Sequence, residues 1–134
     1  MAPPSHPAPA NRAAATHATD LSLPGRRQGK VRDIYDLPGD PPRLLIIATD
    51  RISAFDVVMP TPIPGKGRLL TQLSTWWFRF IQERGLAATH LLSTDAADVP
   101  NSAFKGSTTR AELDGRATIG RRCSVIPVEC VVRG

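Results

Sequence analysis

The chain has 134 residues, of which 41% are hydrophobic, 22% charged and only 5% aromatic. These values lie near the globular average and exclude a long disordered protein, and no apolar run approaches the roughly 20 residues that span a bilayer. Lysine and arginine number 17 against 12 acids, for a net charge of +5, and 14 of the 17 are arginine.

The basic excess is spread along the chain. Residues 1–67 carry 8 basic and 6 acidic side chains, and residues 68–134 carry 9 and 6. Nucleic-acid binders gather their charge into a patch and stack bases on aromatics, so neither a nucleic-acid nor a membrane partner is expected. Diffuse arginine suits small anions such as phosphates and carboxylates, and it is equally compatible with composition alone.

Residues 1–24 contain five prolines and seven alanines. They have no apolar segment of the kind a signal peptide carries, and residues 1–20 are expected to form a disordered extension that packs against nothing. Organised sequence begins near Leu21. Val31, Arg32, Asp33, Ile34 and Tyr35 lead into the turn-rich segment Leu37-Pro38-Gly39-Asp40-Pro41-Pro42. The apolar run Leu44-Leu45-Ile46-Ile47-Ala48 follows, and a β-hairpin over residues 29–48 is predicted. Residues 49–67, with prolines 60, 62 and 64, read as a polar, irregular loop.

Leu69, Leu73, Trp76 and Phe80 recur at helical spacing, widened by Leu70, Trp77 and Ile81. They predict a helix over residues 68–84, ended by Gly85, with this stripe in the core. Leu91 and Leu92 suggest a further strand, residues 95–115 are weakly patterned, and residues 117–132 read as β-rich. The order β-β-α-β-β defines an α+β domain. Cys123 and Cys130 fit neither a disulfide framework nor a zinc site, and two reduced, buried thiols are expected.

Three polar clusters stand out. Gly29, Lys30 and Arg32 place two cations beside a glycine-containing turn, with both side chains on one strand face, as triphosphate binding requires. The spacing is not that of a Walker motif, and a solvated strand face is the plain alternative. Asp50, Arg51, Ser53 and Asp56 follow a buried strand, where a metal–phosphate or polar substrate could be held, or simply an ordinary turn. Glu129 lies in an otherwise apolar strand, where burial is costly unless it is paired; an exposed strand face is the other reading.

Together these segments resemble the SAICAR synthetase family. The resemblance lies in G-K-V-R-D-I-Y (residues 29–35), T-D-R-I-S-A-F-D (residues 49–56), P-G-K-G (residues 64–67) with the following L-T-Q-L-S-T-W-W-F, and I-P-V-E-C-V-V-R-G (residues 126–134). It covers residues 21–134. It implies the N-terminal β-rich lobe, and the start of the second lobe, of an ATP-grasp-like fold. The activity implied is an ATP-dependent ligase of purine biosynthesis, cytoplasmic, that joins L-aspartate to the carboxylate of carboxyaminoimidazole ribonucleotide through an acyl phosphate, with Mg2+.

Carried over by position, Gly29, Lys30 and Arg32 would face the ATP phosphates, and Val125, Ile126 and Val128 would line the adenine slot. Glu129 would lie at the metal and the substrate carboxylate, sharing the catalytic role with Lys30. Ser53, Asp56 and Lys66 would sit in and beside a loop over the substrate, with Arg133 near the ribonucleotide. Family members run well past 200 residues and carry further magnesium ligands in their second half. The chain is therefore expected to be an incomplete fragment, inactive in isolation, with a homo-oligomer open for the full-length enzyme. A non-catalytic nucleotide- or anion-binding module of the same fold is the alternative.

Overall fold

Two apolar runs flanking the turn at residues 38–42 form the centre of a five-stranded antiparallel sheet in the computed structural model, which describes residues 14–133. In chain order the elements are β1 (Arg27–Gln28), β2 (Arg32–Leu37), β3 (Arg43–Ala48), β4 (Ser53–Ala54), β5 (Val57–Val58), α1 (Lys66–Glu83), β6 (Leu91–Ser93), α2 (Arg110–Leu113) and β7 (Ala117–Arg121). The sheet order is β1-β2-β3-β7-β6, and β4 and β5 make a separate small hairpin. The predicted β2–β3 hairpin is present, with Arg32 opposite Ala48 and Leu37 opposite Arg43.

Strand alternation divides the sheet into two faces. Tyr35, Leu37, Leu45, Ile47, Ala117 and Ile119 are buried on one face, and Leu21, Ala96, Val99, Ala103 and Leu113 close over them. Each large side chain buried there contributes about 1.5–3 kcal/mol of transfer free energy. The weakly patterned residues 95–115 thus supply much of the cover, through two short 3-10 turns and α2.

Helix α1 lies against the other face, but not along the stripe expected. The side nearest the sheet carries Gly67 and Thr71, its buried residues. A Cβ on Gly67 would come within 2.2 Å of the Ala48 carbonyl oxygen, so only glycine permits this approach. The bulky stripe is rotated outward: Leu69, Leu73, Trp76 and Trp77 are exposed, Trp76 by 54%. Its aromatics pack on one another instead, with Trp76 stacked on Phe80 at 5.4 Å between centroids.

Three further expectations are corrected. Beta structure ends at Arg121 rather than near residue 132, because both partners run out there: β3 begins at Arg43 opposite Arg121 and β6 at Leu91 opposite Gly120, and Pro127 has no N–H to extend a ladder. Residues 122–133 are exposed, and so are the free thiols of Cys123 and Cys130, which were expected in the core. Of the extension expected over residues 1–20, residues 1–13 lie outside the described residues. Residues 14–20 have no helix or strand, yet they do pack: Thr19 is buried, and its N–H and hydroxyl bond the Asp33 carboxylate at 2.7 and 2.9 Å.

Candidate functional site: a cationic cleft on the open sheet face

Between α1 and the open face of the sheet lies a cleft of about 190 Å³. Arg32 at the start of β2 and Lys66 at the start of α1 line it, with His90, Ser74, Thr71 and Thr118. Val31, Ile46, Ala48, Leu70 and Phe78 give it apolar walls. None of these lining side chains is a carboxylate, so among the described residues the cleft is cationic. The geometry can hold an anion at its rim and a flat apolar group against its walls.

Its upper edge is the turn at residues 29–32. The Gly29 N–H donates to the Arg32 carbonyl at 2.8 Å. The Val31 carbonyl accepts both the Thr49 N–H at 3.1 Å and the Thr49 hydroxyl at 2.8 Å. Lys30 lies in a bend before β2, not on the strand, so the alternation that was to put it on one face with Arg32 does not apply. Its ammonium pairs with the Asp56 carboxylate at the tip of the β4–β5 hairpin, where both side chains are exposed.

That hairpin is tight. Phe55 and Asp56 both have positive φ, 48° and 65°, the two-residue turn that usually calls for Asn-Gly. Ser53 stands in β4, one turn-length from Lys30's partner. The segment 49–67, expected to be wholly irregular, therefore contains a short ordered hairpin.

Asp50 and Arg51, expected as candidates for holding a metal–phosphate or substrate, are committed internally. Both are buried. Asp50 pairs with Arg116, with contacts at 3.1 and 3.3 Å, and also accepts the N–H groups of Thr16 and Gly67 at 2.9 and 2.8 Å. Helix α1 begins at Gly65 in the left-handed region, with no side-chain cap of its own. Asp50 supplies the missing acceptor from 17 residues away, where its charge also suits the helix N-terminus. Burial pushes the Asp50 carboxyl up, but the hydrogen bonds from Arg116, Thr16 and Gly67 and the Arg116 charge together outweigh it, leaving the carboxyl below its ordinary value. Arg51 pairs with Asp33 at 2.8 Å, and its carbonyl accepts the Lys66 ammonium at 3.1 Å.

The structure thus brings Arg32 and Lys66 into one cleft; Gly29 and Lys30 stand in the turn that leads into Arg32, Asp56 pairs with Lys30, and Ser53 is not among the lining residues. It does not bring in Val125, Ile126, Val128, Glu129 or Arg133. These stand on the exposed segment 122–133, which is tied to the body at its start, by the Arg122 N–H to the Pro42 carbonyl at 3.0 Å and the Arg122 side chain to Asp36 at 3.4 Å. Thr49 and His90 were not picked out as site residues, though both line the cleft. Arg51 was singled out with Asp50, but as a ligand-holding side chain rather than as the buried partner of Asp33.

An α+β domain with a cationic cleft on the open face of an antiparallel sheet is the class that fold and site define. The SAICAR synthetase family model matches residues 26–134. The chain is 50% identical over 119 residues to phosphoribosylaminoimidazole-succinocarboxamide synthase of Geobacter sulfurreducens, covering 89% of this chain and 37% of that one. Among solved structures, a SAICAR synthase aligns with a TM-score of 0.65 at 34% identity, over 87% of this chain and 39% of that one. The Saccharomyces cerevisiae SAICAR synthase complexed with SAICAR aligns at 0.61 and 34%, over 84% and 37%. The chain belongs to the SAICAR synthetase family, and it spans less than two fifths of the length of these relatives.

Proposed function

We propose that this chain is the nucleotide-phosphate-binding part of an ATP-dependent ligase that makes SAICAR. The observation that carries the reading is the acid-free cleft in which Arg32 and Lys66 converge below the turn at residues 29–32, in a chain of this family. The triphosphate of ATP would lie along Lys30, Arg32 and Lys66. Such charge-assisted contacts are the strong class of hydrogen bond, and they stabilise charge developing on the transferred phosphoryl group.

In the reaction, a carboxylate oxygen of carboxyaminoimidazole ribonucleotide attacks the γ-phosphorus. The bond from that phosphorus to the β,γ-bridging oxygen breaks, leaving ADP and an acyl phosphate. The L-aspartate amine then attacks the acyl carbon, phosphate departs with the carbon–oxygen pair, and the nitrogen gives up its proton. Ser53, Asp56 and Arg133 would contact the ribonucleotide. Val125, Ile126 and Val128 would close over adenine, as part of the two-lobed, ATP-grasp-like arrangement that the resemblance implies.

Magnesium would supply charge neutralisation between phosphates. Among the described residues no three His, Cys, Asp or Glu side chains gather into a set that could hold a metal ion. Glu129 therefore offers one ligand and not a site.

Calorimetric titration with ATP, and with AMP as the control lacking a polyphosphate, tests the reading. Arg32→Ala removes a charge-assisted contact and should weaken ATP by about 1.5–3 kcal/mol, with AMP little changed. ATP binding equal to the parent's would contradict the assignment. In a chimaera where this chain replaces the matching portion of the Geobacter sulfurreducens relative, Glu129→Gln should lower turnover more than ATP affinity.

A further inference from the structure

The Arg51 guanidinium is 18 or more positions away in sequence from every residue of the turn it holds, yet it touches nearly all of that turn. Its Nε donates to the Lys30 carbonyl at 3.0 Å. Its Nη2 donates to the carbonyls of Gly29 at 2.9 Å and Arg32 at 3.3 Å, and to the Asp33 carboxylate at 2.8 Å. Its Nη1 bonds the His17 carbonyl. The side chain is 8% exposed and its Asp33 partner 0%, so neither solvent nor salt competes for these bonds. On the other side of the same residue, the Arg51 carbonyl receives the Lys66 ammonium at 3.1 Å.

We infer that Arg51 is a positioning residue that fixes the distance between the turn at residues 29–32 and Lys66, so that the two cationic sides of the cleft meet a polyphosphate in a prepared geometry. Three of the turn's four carbonyls drawn onto one guanidinium, with the fourth held by Thr49, leave the turn a single backbone course. Its N–H groups and the Lys30 and Arg32 side chains then project from a fixed frame. Prepaying this ordering within the fold leaves less entropy to lose when the anion arrives. Only a planar fork with five donors spans these acceptors; a lysine ammonium is a point donor and cannot. The Asp33 carboxylate is one further acceptor of the fork and is itself bonded by Thr19.

This inference rests on the proposed nucleotide site, and the experiment separates the two. Amide hydrogen exchange reads the turn with no ligand present, and calorimetry with ATP and AMP reads the site. In Arg51→Lys, exchange at Gly29 should rise at least tenfold while the core amides of Leu45 and Ile47 keep their protection. ATP affinity should fall at least tenfold and AMP affinity less than threefold. Unchanged exchange at Gly29 overturns the positioning role, whatever ATP does. A loosened turn with ATP binding unaltered supports the clamp and removes its link to the polyphosphate, which overturns the inference as stated. Should Arg51→Lys fail to fold, Asp33→Asn decides, since it keeps the guanidinium and its carbonyl bonds. Protection at Gly29 within threefold of the parent supports the clamp, and a tenfold loss transfers the role to the carboxylate and overturns it.

Discussion

The two faces of the sheet are built from the same strands and finished in opposite ways. The closed face holds Tyr35, Leu45, Ile47, Val99, Leu113 and Ile119 with almost no exposure, and the carboxylate buried there, Asp33, is paired. The open face carries a helix set close by Gly67, a cationic cleft, and an apolar stripe turned away from the sheet. The closed face determines that the chain folds, and the open face determines what it can hold. The buried polar residues at the seam, Asp50, Arg51 and Arg116, couple the two.

The seam carries the largest expected effects. Asp50→Ala leaves the Arg116 guanidinium buried without its partner and should cost about 3–5 kcal/mol, read from urea unfolding. Arg116→Met in that background should recover part of the loss, because the unpaired charge is then gone. If Asp50→Ala costs under about 1 kcal/mol, the seam is ornamental and the two faces are independent.

Next come the faces themselves. Leu113→Ala opens a cavity in the closed face and should cost about 2–5 kcal/mol, whereas Leu73→Ala on the outward stripe of α1 should change stability by no more than about 0.5 kcal/mol. Equal costs would show that the stripe is packed and that the faces differ less than described.

The pH dependence sharpens the seam further. The Asp50 carboxyl lies below its ordinary value in the folded protein, so the unfolded chain takes up this proton first. Its contribution to stability is complete above the unfolded value, about 3.9, and is lost as pH falls through the depressed folded value. Asp50→Asn should therefore flatten the stability profile below about pH 4 and leave the profile above pH 5 parallel to the parent's. The smallest effect belongs to the exposed Lys30–Asp56 pair, whose coupling in a double-mutant cycle should be about 0.2–1 kcal/mol and fade with salt.

Much of this contrast could be read from the amino acids, and the remainder could not, for physical reasons. The β2–β3 hairpin announces itself because an apolar run and a turn rich in proline and glycine are both local. Helix α1 is legible from its 3.6-residue period, but the period does not say which side meets the sheet. That depends on Gly67 touching the Ala48 carbonyl, a contact between elements. Val99, Ala103 and Leu113 escaped notice because each lies in a separate short turn, with no periodicity to mark it. The carboxylate and arginine after β3 were visible as a cluster, yet their roles inverted, since burial follows from Thr16, Gly67 and Arg116 arriving from three distant segments. The absence of a polar cap before α1 was the one local sign that a remote acceptor had to exist.

The central claim, that the open face is the nucleotide-phosphate site, is tested most directly by titrating the isotope-labelled chain with ATP and following its amide resonances. The account predicts shifts gathered at Gly29, Lys30, Arg32, Thr49, Lys66 and Thr71, with Val99, Ala103 and Leu113 unmoved, and a much weaker response to AMP at the same positions. Shifts centred on the closed face, or an identical response to AMP and ATP, would contradict it.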